Sequence, residues 1–88
     1  MREQGVIRKL GDLKRGDRGT LHRVETPSDV LTRRFLEMGL IEGSAIEVVH
    51  EAPISRDPLA VRVRGGLIAI RRAEAQYIEV MTRASEER

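Results

Sequence analysis

His22 and His50 are the side chains of this 88-residue chain best suited to metal or acid–base chemistry, since it has no cysteine. Each falls in a segment that reads as a β-strand, and a barrel can bring distant strands together. With Glu51 or Glu25 they are candidates for a carboxylate–imidazole site holding Fe2+ or another divalent cation. No short-range His-x-x-x-His spacing supports that site, and the plainer reading is that both rings face water. Nucleophilic catalysis lacks its parts. Ser28 and Ser55 lie in turn-like segments, Ser44 begins a strand, and none sits in a Gly-x-Ser-x-Gly elbow. Gly16, Gly19 and Gly65-Gly66 match neither a P-loop nor a dinucleotide loop. So short a chain also leaves little volume for a ligand pocket of several hundred Å3. The expectation is a protein that binds a partner, with no enzyme activity and no resident cofactor.

Arginine dominates the charge. Sixteen basic residues, fourteen of them arginine, face fourteen acidic ones, for a net charge of +2. The isoelectric point near 9.7 suggests nucleic acid, but the very high pKa of arginine inflates that figure while net charge at neutral pH stays small. One Phe and one Tyr leave no platform for stacking bases. Nucleic acid is therefore disfavoured as a partner. Arg33-Arg34, Arg62 with Arg64, and Arg71-Arg72 either line a basic face or pair with Glu37, Glu42, Glu47 and Glu74 as solvated surface. Solvated surface is the expected case. Apolar runs are far shorter than the ~20 residues of a membrane-crossing helix, and no secretory signal is visible. A cytoplasmic protein without direct membrane insertion is expected.

Short segments punctuated by glycine and proline indicate a mainly β fold. Leu10-Gly-Asp-Leu13 reads as a turn and Lys14 to Gly19 as a tight connection. Strands are expected over Thr20–Val24, Ser44–Glu51, Leu59–Arg64, Leu67–Arg71 and Tyr77–Met81. In the second, Ile46 and Val48 share a face, while Val49 breaks the alternation. In the third, Leu59, Val61 and Val63 point in, and Arg62 and Arg64 point out. Gly65-Gly66 predicts a two-residue hairpin turn, after which Ile68, Ile70, Ile78 and Val80 face the core. Arg72 to Ala75 supplies one helical turn.

One helix interrupts the strands. Thr26-Pro-Ser-Asp29 predicts its start, with Thr26 as cap and Pro27 in the first helical position. Leu31, Phe35 and Met38 form its apolar stripe. Gly39 is the left-handed stop, and Leu40 packs back on Phe35. At about 100° per residue, Leu36 falls off that stripe towards Arg33. Either a loop covers it, or it is an exposed apolar anchor beside a guanidinium, a composition favoured at protein interfaces. Together these elements describe a small SH3-like β-barrel of about five strands with one inserted α-helix. The domain is expected over residues 7–81, with flexible termini at 1–6 and 82–88.

Arg34-Phe-Leu-Glu-Met-Gly-Leu-Ile-Glu-Gly43 resembles the Arg-Leu-Leu-x-Met-Gly-Leu-x-x-Gly segment of the ferrous iron transport protein A (FeoA) family, with Phe35 where leucine is commoner. Asp57 to Gly65, Ile68 to Ala75 and Ile78-Glu-Val80 resemble the family's later strands and their flanking basic pairs. Leu10 to Gly19 resembles its opening leucines and glycine turn. The resemblance implies an SH3-like barrel with a cytoplasmic, accessory role in bacterial ferrous iron uptake. It implies as partner the membrane iron transporter with an attached GTPase domain, FeoB. Similar domains also occur in metal-dependent repressors, but no helix-turn-helix is visible here. Members are associated with transition metals, although no family ligand set maps onto this chain. Two readings follow. One is a protein-interaction module that contacts the transporter through Arg33, Leu36 and Leu40. The other is a direct transition-metal-ion-binding or metallochaperone domain using His22, His50 and Glu51. A homodimer formed through the barrel edges stays open.

Overall fold

Apolar side chains alternate along the later strands, so that Ile46 with Val48, Val61 with Val63, and Ile78 with Val80 turn to one side and are buried. The computed structural model describes residues 5–83. Its strands are β1 Gly5–Lys9, β2 Arg18–Val24, β3 Ala45–Glu51, β4 Leu59–Val63, β5 Gly66–Ile70 and β6 Ile78–Arg83. Helix α1 spans Asp29–Glu37, and the single turn α2 spans Arg72–Ala75. The strands form one antiparallel sheet in the order β1-β6-β2-β3-β4-β5. The sheet is not closed, and β1 and β5 are its edges. Its inward faces share one core with Leu10, Leu13, Phe35 and Leu40.

The mainly β class and the five expected strands are present, and β1 is the addition. Its pattern is inverted: Ile7 is exposed, while Arg8 turns inward and lies 3.7 Å from the Asp17 carboxylate. What defines β1 is pairing with β6, from Gly5 opposite Arg83 to Lys9 opposite Glu79. The Thr82 hydroxyl adds a bond to the Val6 carbonyl at 3.1 Å. Strand pairing thus extends two residues beyond each expected boundary of 7–81. The remainder of the expected flexible termini, residues 1–4 and 84–88, lies outside the described residues.

Two bulges account for irregular patterning. In β3, Val48 and His50 face Val61 and Ala60, consecutive residues of β4. Val49 is the inserted residue that broke the alternation. In β2, Leu21 and Arg23 face Val80 and Glu79, which makes His22 the inserted residue.

The β4–β5 turn sits one residue earlier than expected. Val63 pairs with Gly66, leaving Arg64 (φ 49°) and Gly65 (φ 79°) as the central residues of a turn with two positive φ angles. Arg64 is therefore a turn residue, not the end of a strand.

Helix α1 is capped by Ser28 and not by Thr26. The Ser28 hydroxyl accepts the Leu31 N–H at 3.2 Å. Thr26 braces the cap instead: its hydroxyl accepts the Ser28 N–H at 3.0 Å and bonds the Thr32 hydroxyl at 2.8 Å. Pro27 accordingly precedes the helix. The stop is as expected. Gly39 has φ 94°, its N–H donates to the Leu36 carbonyl, and the Leu40 N–H reaches back to the Phe35 carbonyl, each at 3.0 Å. This paired arrangement satisfies the last carbonyls of the helix, and Phe35 and Leu40 are both fully buried.

Candidate functional site

Helix α1 buries Phe35 and presents its opposite side to water. Val30, Arg33 and Leu36 follow one another at three-residue spacing, which stacks them along a single ridge. Val30 is 77% exposed and Leu36 52%. Arg33 between them is exposed and makes no ion pair among the described residues. Among the described residues no loop covers Leu36. The ridge therefore alternates apolar, cationic and apolar side chains on a helix whose two ends are fixed by Ser28 and Gly39. Val30 was not singled out in the sequence, although its position three residues before Arg33 contained the signal. Next to the ridge, Arg34 donates to the Glu74 carboxylate at 2.8 Å and ties α1 to α2.

Leu40 leaves the candidate set. As the residue after the glycine stop it is driven onto Phe35 and is fully buried, so it offers nothing to a partner. The exposed apolar residue of that turn is its neighbour Ile41, at 40%.

Arg72 is not solvated surface. Its guanidinium donates to the carbonyls of Gly11, Leu13 and Arg56, each at 2.8 Å, and to the Glu51 carboxylate at 2.5 Å. Its backbone N–H donates to Asp57 at 2.9 Å. One side chain thus clasps the turn before β2, the end of β3 and the loop before β4. Glu47 with Arg62, at 3.2 Å, and Glu74 with Arg34 are the solvated pairs expected of the other arginines.

The metal candidates are not brought together. His22 is exposed on the β2 bulge, and His50 is exposed on β3. The β2–β3 register sets Thr20 opposite Ala45 in antiparallel sense. His22 lies two residues beyond one end of that pairing and His50 five beyond the other, an offset of roughly 23 Å at the rise of a strand. Glu51 is held by Arg72, and Glu25 pairs with Arg23 at 2.8 Å. Among the described residues no three His, Asp or Glu side chains cluster as a cation site. His22, His50, Glu51 and Glu25 therefore do not converge on a common cation.

A groove of about 880 Å3 opens on the outer face of the sheet, lined by residues of β2, β3, β4 and β6. It overturns the expectation that so short a chain lacks room for a ligand. The groove lies outside the core, on the face of the sheet that carries Thr20, Ala45, Glu47 and Arg62.

The model of the FeoA domain family matches residues 8–82, nearly the whole described fold. The chain belongs to the FeoA family. The Fe(2+) transport protein A/Fe(2+) transporter FeoB fusion protein of Porphyromonas gingivalis is 40% identical over 72 residues, which cover 82% of this chain and 8% of that one. The chain therefore spans less than a tenth of that relative's length. The solution structure of the FeoA protein from Chlorobium tepidum is 32% identical with a TM-score of 0.75, covering 92% of this chain and 74% of that one. The crystal structure of Stenotrophomonas maltophilia FeoA complexed with zinc, a prokaryotic SH3 domain protein, is 27% identical with a TM-score of 0.69, covering 81% and 86%. The FeoA match takes in all of α1, its glycine stop and the Arg72 clasp. Among the described residues of this FeoA-family chain, no helix is long and apolar enough to cross a membrane.

Proposed function

We propose that the chain is an accessory binding module of ferrous iron uptake that docks, through the ridge of α1, on the cytoplasmic part of a FeoB-type transporter bearing a GTPase domain. The observation that carries this reading is the Porphyromonas gingivalis relative, in which a segment 40% identical to this chain shares one polypeptide with FeoB. Tethering of that kind raises effective concentration, so a modest contact surface suffices for function. The α1 ridge has suitable chemistry. Burying the exposed parts of Val30 and Leu36 contributes roughly 1 kcal/mol or more each. Arg33 between them can donate to a carboxylate or to backbone carbonyls of the partner. The mechanism is binding, not bond-making, and it locates the chain in the cytoplasm beside the transporter.

The test is interferometry against the transporter's soluble domain, repeated with nucleotide and with intact transporter in membranes. The parent chain binds. Leu36→Ala combined with Arg33→Glu weakens the complex about thirtyfold, equivalent to ~2 kcal/mol, with an unchanged melting temperature. Undiminished binding by the double variant would remove α1 as the contact, and no binding by the parent under any of these conditions would remove the function. Arg62→Glu, away from the ridge, chiefly alters salt dependence and association rate.

A further inference from the structure

The two edges of the sheet are unlike. Strand β1 carries Arg8 and Lys9, charges of the kind that keep an edge from pairing with another chain. Strand β5, from Gly66 to Ile70, carries no charge, no proline and no bulge. Val63 and Gly66 flank a two-residue turn, so they exchange both main-chain bonds, as do Val61 with Ile68 and Leu59 with Ile70. Leu67 and Ala69 therefore turn their N–H and C=O groups away from β4. Among the described residues no strand lies on that side. Both residues are exposed, Leu67 to 62%. The edge thus offers two donors and two acceptors within a strand of about 17 Å. Cations stand at its far end. Arg71 continues the strand in extended conformation, and its side chain makes no cap bond to α2. Arg72 holds the neighbouring loop against that end, its Nε donating to the Arg56 carbonyl at 2.8 Å and its backbone N–H to the Asp57 carboxylate at 2.9 Å. Neither Arg56 nor Arg71 forms an ion pair among the described residues. Two guanidiniums thus stand beside the single carboxylate of Asp57.

We propose that the free edge of β5 takes up an extended segment of a protein partner as a further strand, apolar through its middle and acidic where it passes Arg71. The site lies on a different element from the α1 ridge and does not depend on the reading of that ridge. An extended polypeptide supplies the matching ladder of main-chain donors and acceptors. Its side chains alternate between the two faces of the sheet. Those on the outer face meet Leu67 and Ala69, and those on the inner face meet Ile68, which is half-buried against the core. A carboxylate at the end of the incoming strand balances Arg71 and Arg56. A second copy of this chain, paired about Ile68, would set each Arg71 opposite the other's Gly65 and so beside its Arg64. That like-charged contact, repeated at both ends of the two-fold, disfavours self-pairing. A nucleic-acid strand lacks the main-chain ladder, and β5 has no aromatic residue on which to stack its bases.

The probe is a fluorescein-labelled peptide of alternating valine and threonine with a glutamate at each end, and its lysine-ended counterpart is the control. Binding is followed by fluorescence anisotropy, and amide hydrogen exchange by nuclear magnetic resonance. In the chain alone the Leu67 and Ala69 amides exchange freely, and the glutamate peptide is expected to protect both. The lysine peptide binds more weakly. Ala69→Pro removes one outward N–H and no bond to β4, a placement that an edge strand tolerates. It weakens binding by about tenfold, because a peptide carbonyl loses its donor, and leaves the melting temperature near the parent's. Leu67→Ser, at an exposed position with the main chain intact, costs about fivefold through lost apolar contact. Arg71→Glu weakens the glutamate peptide and strengthens the lysine one, while Leu36→Ala with Arg33→Glu changes nothing. Equal binding of the two peptides by the parent, unaltered exchange at Leu67 and Ala69, or affinity indifferent to both β5 variants would overturn the proposal. Protection of Leu67 and Ala69 that rises with protein concentration in the absence of peptide would assign the edge to a second copy and overturn it likewise.

Discussion

Replacing Arg72 by methionine keeps the apolar stem of the side chain and removes every bond its guanidinium makes. Four donations are lost, three to the carbonyls of Gly11, Leu13 and Arg56 and one to Glu51. The side chains of Arg72 and Glu51 are 24% and 16% exposed, so the pair is screened far less than a surface ion pair. A net ~1 kcal/mol for each carbonyl bond, partly recovered where water reaches the freed carbonyls, contributes about 2 kcal/mol. Leaving the Glu51 carboxylate half-buried without its cation adds about 1–2 kcal/mol. The expected loss is therefore about 3–4 kcal/mol, a large share of the ~5–10 kcal/mol available to a domain of this size. In thermal unfolding followed by circular dichroism, that corresponds to a fall in Tm of roughly 15–25 °C. Arg72→Lys keeps the charge but not the planar fork, and recovers less than half of the loss. Glu51→Gln in the Arg72→Met background restores roughly 1 kcal/mol by discharging the orphaned carboxylate. An Arg72→Met variant melting within about 2 °C of the parent, or a lysine variant equal to it, would refute the clasp.

Gly39→Val is expected to destabilise by more than about 1 kcal/mol in urea titration, because a β-branched residue is strained at φ 94°; a variant as stable as the parent would mean that the stop tolerates other geometry. Val61→Asp buries an unpaired carboxylate in the centre of the core and should abolish cooperative unfolding altogether. Calorimetric titration with Zn2+, or with Fe2+ under anaerobic conditions, should give no stoichiometric binding at low micromolar metal. His22→Ala and His50→Ala should stay folded, and a one-to-one titration lost in either variant would restore the metallochaperone reading.

The elements that sequence made legible are those whose order follows from local pattern. Strands β3 to β6 announced themselves because Ile46, Val48, Val61, Val63, Ile78 and Val80 alternate with solvated neighbours. The end of α1 was legible because only a residue free of Cβ strain stops a helix at positive φ. Its start was less so: Thr26 and Ser28 are both competent caps, and the choice rests on which hydroxyl meets the Leu31 N–H. Strand β1 hid because its alternation is inverted, with Ile7 out and Arg8 in, and its pairing partners lie 70 to 78 residues away. Arg72 hid for the same reason. It resembled its neighbour Arg71, yet its carbonyl partners at Gly11 and Leu13 are 61 and 59 residues distant.

The candidate surface divides along the same line. Leu36 was legible because a helical wheel needs no tertiary knowledge to place it off the Phe35 stripe. The expectation for Leu40 contained its own contradiction: a residue that packs on Phe35 to complete the glycine stop cannot also reach a partner, and burial settles which wins. The outer groove had no local signal, since Arg18, Arg62 and Arg83 are separated in sequence by tens of residues and meet in one row only through strand register. Opposite faces of one strand thus play opposite parts. Val61 and Val63 hold the core while Arg62 between them faces the groove, so a one-residue slip of β4 would bury a guanidinium and expose both valines. The same alternation that stabilises the fold keeps Arg62 on its outer face.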